Sequence, residues 1–159
     1  MSATATTVET ASTIPMDVVT RLEGSSAEER IRYAIENWGI EQAVTTTSFG
    51  VQAAVLLHLL HRCAPGIRVI FIDTGYHFPE TLAYGEQLES QWNLNVLRYR
   101  AAEEPSEQER IYGRLWEQGA DGLDFYNLLN KVQPMENALS DLQPKVWFSG
   151  LRRVQSSTR

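Results

Sequence analysis

Three polar clusters, each directly after a β-prone run, could bind and polarise an anion. The first is Ser48-Phe49-Gly50-Val51-Gln52, which follows Ala43–Thr47 and opens the apolar run from Val51 to Leu60. A strand, a tight polar turn and a helix start offer backbone N–H groups and the positive end of a helix dipole to an anion. Gly50 lets a phosphate come close to the backbone. The turn is neither GxxxxGK[ST] nor GxGxxG, and by itself it also reads as an ordinary turn with an N-cap serine. The second cluster, Asp73-Thr74-Gly75, ends the apolar run Val69–Ile72. An acid, a hydroxyl and a glycine at the carboxyl end of a buried strand stand where open α/β sheets bind ligands; the plainer reading is that Asp73 and Thr74 cap a turn. The third is Arg152-Arg153-Val154-Gln155, following Lys145–Ser149. Residues 145–159 hold four cations (Lys145, Arg152, Arg153, Arg159) and no acid, on a chain of net charge -6. Arginine forks match phosphate and sulfate oxygens in pairs, although a basic segment of this kind is also ordinary solvated surface.

The elements that must position these clusters alternate. Ser26-Ala27-Glu28-Glu29 has the form of a capping box, and Ile31, Ala34, Ile35 and Trp38 recur at helical spacing, so a first helix spans 27–38 and stops at Gly39. Strands are expected at 43–47, 69–72, 94–99 and 145–149, with Leu94, Val96 and Tyr99 as inward candidates in the third. Helices are expected from Val51, from Pro79 with Leu82, Leu88 and Trp92 on its apolar side, through Tyr112 to Gly119, and after Pro134. Strand–helix alternation predicts an α/β domain with a parallel sheet. All three polar clusters then meet on one edge, which suits a nucleotide with more than one anionic group. Residues 1–25 are expected to be disordered or loosely packed, and 26–159 to form the domain.

Composition narrows the functions. The net charge of -6 over 159 residues argues against a general nucleic-acid or membrane-surface binder. No apolar run reaches membrane-spanning length, and the first twenty residues lack Lys and Arg, so no leader peptide is indicated. Cys63 is the one cysteine, which leaves no internal disulfide and fits a reducing, cytoplasmic setting. It reads as a packing residue. His58 and His61 have no acidic or cysteine companion that would make them metal ligands, and His77 reads as a hydrogen-bonding loop residue.

The chain resembles the thioredoxin-dependent phosphoadenosine phosphosulfate (PAPS) reductases. The segments that carry the resemblance are Ser48–Val55, Asp73–Thr81, Tyr112–Gly119, Asn130–Met135 and Trp147–Ser156, in the order and spacing of that family. The resemblance implies a parallel twisted sheet with flanking helices, adenine nucleotide α-hydrolase-like, with residues 48–52 as a modified pyrophosphate loop. It implies reduction of PAPS to sulfite and adenosine 3',5'-bisphosphate with thioredoxin as external reductant and no further cofactor. Ser48, Gly50 and Gln52 then belong to the phosphosulfate loop, and Asp73, Thr74 and Gly75 to the nucleotide edge. Lys131, Arg152, Arg153, Gln155 and Arg159 are the implied phosphate and sulfate contacts. A homodimer is compatible with this reading.

Three departures from the family pattern bear on activity. The family's nucleophilic cysteine lies in a Glu-Cys-Gly-Leu-His segment that these 159 residues do not contain, and Cys63 is misplaced to substitute; the expectation is a truncated reductase without turnover. Val154 stands where the family often has Glu. Tyr126-Asn127 stands where iron–sulfur adenosine phosphosulfate reductases carry a cysteine pair, so no such cluster is expected, and the 3'-phosphorylated substrate is favoured. A non-catalytic nucleotide-binding remnant and an ATP-pyrophosphatase-type adenylating enzyme are the alternatives, the latter lacking here its Ser-Gly-Gly-Lys-Asp-Ser loop.

Overall fold

The computed structural model describes residues 14–150. Four strands, β1 (Ala43–Thr47), β2 (Arg68–Ile72), β3 (Asn95–Tyr99) and β4 (Val146–Phe148), form one parallel sheet in the order β3-β2-β1-β4. Seven α-helices accompany them among the described residues: α1 (Met16–Gly24), α2 (Ala27–Trp38), α3 (Val51–Cys63), α4 (Pro79–Trp92), α5 (Pro105–Tyr112), α6 (Gly119–Asn127) and α7 (Gln133–Leu142).

Both faces of the sheet are covered, so the strands read as continuous apolar runs rather than alternating ones. On one face Val69 and Phe71 pack with Leu57 of α3 and Leu88 of α4, while Ala43 packs with Leu60 and with Ile31 of α2. On the other, Val44 and Ile70 pack with Ala138 of α7. The inward candidates of β3 divide by strand parity: Val96 joins the first face and Tyr99 the second. β1, β2 and β3 succeed one another outward in one direction, and β4 returns to the other side of β1. The sheet therefore changes direction between β1 and β4, the position where open α/β sheets leave a crevice at their carboxyl ends.

Local chemistry accounts for the element boundaries. Ser26 Oγ accepts from Glu29 N while a Glu29 carboxylate oxygen accepts from Ser26 N, a complete capping box at the start of α2. Hydrogen bonding to Ser26 holds the Glu29 carboxyl below the usual glutamate range. Pro79 and Pro105 open α4 and α5, where a missing N–H costs nothing.

Of the N-terminal segment expected to be disordered or loosely packed, residues 1–13 lie outside the described residues, and Met16–Gly24 is a helix with no buried residue, tied by Arg30 donating to Leu22 O and Glu23 O. The structure corrects two sequence expectations. The helix expected through Tyr112 to Gly119 ends at Tyr112. Gly113, with φ 72°, breaks it, and only a 3-10 turn at Leu115–Glu117 follows. The helix expected after Pro134 begins earlier: α6, a π turn at Leu128–Val132 and α7 follow one another without a break, with Pro134 buried in the first turn of α7.

Candidate nucleotide-binding edge

The turn after β1 is built around Phe49, not Gly50. Phe49 takes φ 52° and Gly50 an ordinary φ of -67°. A non-glycine residue in the left-handed region is uncommon and is held there by its surroundings. The Phe49 ring is buried, 4.9 Å from that of Phe71. A Cβ on Gly85 of α4 would stand 2.7 Å from it, so the glycine in α4 is the seat of the ring. Phe49 N donates to Thr47 Oγ1 at 3.0 Å.

Gly50 is the N-cap of α3, with no side-chain cap hydrogen bond. The N-cap serine of the plainer sequence reading is therefore not formed. Ala53 N donates to Gly50 O at 2.8 Å, and with glycine at the N-cap no side chain caps the start of α3, an arrangement that leaves room for an anion. Ser48, Gly50 and Gln52 are all exposed around it.

β2 lies beside β1, with Phe71 opposite Thr47, so the loop after Ile72 adjoins this turn. Asp73 Oδ1 accepts from Gly75 N at 3.0 Å, and Thr74 Oγ1 accepts from Tyr76 N at 3.3 Å. Both side chains thus cap their own turn. Gly75 has φ 73°, and a Cβ there would lie 2.4 Å from Pro105 Cγ. His77 Nε2 lies 3.1 Å from Ile72 O, and its ring packs on Phe71. It is a hydrogen-bonding loop residue here.

Sequence reasoning passed over Arg100, the residue directly after β3. It donates to Asp73 Oδ2 at 2.7 Å and to Glu104 Oε1 at 3.5 Å. With Asp73, Gly75, Leu82 and Pro105 it lines an open cleft of about 250 Å³. Its position at a strand's carboxyl end was the available signal.

Lys131 reaches the same edge from the opposite face. The C-terminal end of α7 lies at the start of β2, where Arg68 Nη1 donates to Leu142 O. The start of α7, and the π turn before it, therefore lie toward the strands' carboxyl ends. Lys131 Nζ stands 5.6 Å from the centre of the Tyr126 ring, and that ring is 5.7 Å from Tyr76 in the loop after β2. Tyr76 donates to Pro105 O at 3.2 Å, and burial, reinforced by the Glu109 charge, raises its pKa.

The end of β4 completes the edge. Thr45 Oγ1 donates to Phe148 O at 3.0 Å, and Trp147 Nε1 donates to Thr46 Oγ1 at 3.3 Å. Ser48, Gly50, Gln52, Asp73, Thr74, Gly75 and Lys131 are thus drawn to one end of the sheet. Arg152, Arg153, Gln155 and Arg159 lie outside the described residues. Cys63 closes α3, twelve residues after its first, or roughly 18 Å from the turn at 1.5 Å per residue. Among the described residues no three or more His, Cys, Asp or Glu stand together as a metal site, and no helix is long and apolar enough to cross a membrane.

A parallel sheet covered on both faces, with a helix start beside its change of direction, defines an open α/β protein of the kind that binds ligands at the strands' carboxyl ends. Residues 42–159 match the phosphoadenosine phosphosulfate reductase domain, and the chain belongs to that family. It is 50% identical over 143 residues to a phosphoadenosine 5'-phosphosulfate reductase of Erwinia tasmaniensis, covering 90% of this chain and 58% of the relative. It is 52% identical over 139 residues to one of Pectobacterium carotovorum, covering 87% and 57%. The chain thus spans less than two thirds of these relatives. The crystal structure of PAPS reductase from Candida auris in a phosphate complex superimposes with a TM-score of 0.77 at 25% identity, covering 91% of this chain and 72% of the other. The fold is that of the adenine nucleotide α-hydrolase-like proteins.

Proposed function

We propose that these residues form the nucleotide-binding part of a phosphoadenylyl-sulfate reductase of assimilatory sulfate reduction. The observation that carries the reading is the uncapped start of α3 beside the Asp73–Gly75 loop, within the residues that match the family. In this reading the N–H groups at the start of α3, with Ser48 and Gln52, receive the phosphosulfate. Asp73, Thr74 and Gly75 shape the nucleoside side. Lys131, Arg152, Arg153, Gln155 and Arg159 meet the remaining anionic oxygens.

The chemistry follows from charge. A cysteine thiolate attacks the sulfonate sulfur, the sulfur–oxygen bond to the 5'-phosphate breaks, and adenosine 3',5'-bisphosphate leaves with the electron pair. The developing charge on the leaving phosphate is stabilised by preorganised cations and N–H donors. The thioredoxin dithiol then reduces the S-sulfocysteine, releasing sulfite and regenerating the thiol as thioredoxin becomes a disulfide. The nucleophile belongs to the Glu-Cys-Gly-Leu-His segment that residues 1–159 do not contain, so turnover requires that segment. Thioredoxin as donor, a cytoplasmic setting, a homodimer and the absence of a resident cofactor belong to the same proposal.

Calorimetric titration of the chain with adenosine 3',5'-bisphosphate, with AMP as control, tests it. Preference for the bisphosphate is expected. Equal or absent binding refutes the reading, and pyrophosphate release from ATP would favour the adenylating class.

A further inference from the structure

The helical stretch from Gly119 to Leu142 contains one widened turn, Leu128–Val132, closed by Gln133 N donating to Leu128 O. Such π turns cost regular hydrogen bonding and persist where something holds them. Within this turn, Asn130 belongs to a buried pair of amides. Asn130 is fully buried and Gln108 of α5 nearly so. Gln108 Nε2 donates to Asn130 Oδ1 at 2.9 Å, and Asn130 Nδ2 donates to Gln108 Oε1 at 2.9 Å. The second proton of each amide is also used, by Tyr126 O at 3.2 Å and Glu103 O at 3.0 Å. All four N–H donors are satisfied, and such a closed network fixes geometry strongly.

The residue after Asn130 is Lys131, exposed, with its ammonium over Tyr126. Without the widened turn, the helix on either side would rotate by roughly 100° against itself, one residue's worth of turn. Tyr126 lies before the turn and Lys131 within it, so the rotation falls between them. We infer that Gln108 and Asn130 are positioning residues: the amide pair holds the π turn that aims Lys131 at the anionic part of the nucleotide. This rests on the functional reading above and adds two residues that touch no ligand in it.

Two measurements on the 159-residue chain test the inference. Without ligand, the ring-current shift that Tyr126 imposes on the Lys131 Cε methylene is read by NMR in the wild type and in Gln108→Leu. With ligand, adenosine 3',5'-bisphosphate is titrated into wild type, Gln108→Leu, Lys131→Ala and the double variant. The shift should vanish in Gln108→Leu and affinity should fall by roughly tenfold, the scale of one charge-assisted hydrogen bond. In the Lys131→Ala background the same change should have no further effect, because the pair acts through Lys131. A retained shift, or affinity losses that multiply in the double variant, overturns the inference. Should Gln108→Leu not fold, Gln108→Glu serves instead. Its protonated carboxyl can donate to Asn130 Oδ1 and its ionised form cannot, and burial raises its pKa. The Lys131 shift should then disappear as pH rises, and a wild-type-sized shift that persists at every pH in Gln108→Glu overturns the inference. If the wild type shows no preference for the bisphosphate while the shift is lost on substitution, the functional reading falls and the amide pair's hold on Lys131 stands.

Discussion

Replacing Gly85 by alanine probes how the turn after β1 is held. The added Cβ would lie 2.7 Å from Phe49 Cδ2 and 3.0 Å from Cε2 and Cγ, about 1 Å inside the ~3.5–4.0 Å carbon–carbon optimum. The Phe49 ring has nowhere to retreat, with Phe71 packed against it and its own backbone at φ 52°. Overpacking of this kind costs about 1–3 kcal/mol. Alanine in a helix interior returns about 1 kcal/mol relative to glycine. The net loss of stability is therefore about 0–2 kcal/mol, measurable by urea denaturation. The displacement is delivered to Ser48 and Gly50, the neighbours of Phe49, so affinity for adenosine 3',5'-bisphosphate should fall at least ~10-fold, since misplacement of about 1 Å costs on that scale. Gly24→Ala is the control: it closes α1 with nothing within 4 Å of its Cβ position, and it should not weaken binding. A Gly85→Ala protein stabilised by about 1 kcal/mol, as helix propensity alone would give, with unchanged affinity, would refute the reasoning.

Four further outcomes are expected. Ser26→Ala removes the side-chain acceptor for Glu29 N and should cost about 1 kcal/mol in chemical denaturation. Because the Glu29 carboxyl titrates below its usual range, its contribution is present above that range and lost as pH falls through the lowered value; Glu29→Gln should flatten the acid limb of a stability-versus-pH curve. Tyr76 and Tyr99 are both raised, chiefly by burial, with Glu109 and Asp141 adding to them. Their neutral forms contribute fully below the ordinary value near 10, and stability is lost as pH rises through the raised values. Tyr76→Phe should make the alkaline decline of the urea midpoint shallower. Gly75→Ala combines a strained φ with a Cβ 2.4 Å from Pro105 and should cost about 2–4 kcal/mol, read as a lowered thermal midpoint.

The strands were legible because burial on both faces leaves no alternation to misread: Val69–Ile72 and Ala43–Thr47 could be little else in a chain of this length. The 27–38 helix was legible because its cap and its periodicity agree. The helix breaks were not. Gly113 ends α5 through its positive φ, while the periodicity around Tyr112 and Trp116 runs on across it. Pro134 reads as a boundary, yet the π turn ahead of it lets a helix continue through. At the site, the Ser48–Gly50 turn was legible as a place. Its mechanics were not, because they depend on Gly85, distant in sequence, giving room to Phe49. Lys131 came from the family resemblance alone, and its fixing by Gln108 leaves no local trace, since the two amides are 22 residues apart.

The strand order has a consequence for how this chain emerges from the ribosome. β1 pairs with β2 early in synthesis, but its other edge waits for β4, with Ala43 opposite Val146. At about 5–20 residues per second the nascent chain carries that bare edge for several seconds. An unpaired, flat strand edge invites pairing with other chains. β1 meets this interval with Thr45, Thr46 and Thr47 rather than larger aliphatics. Their hydroxyls can hold water at first. Two of them then exchange it for Phe148 O and the Trp147 indole when β4 arrives.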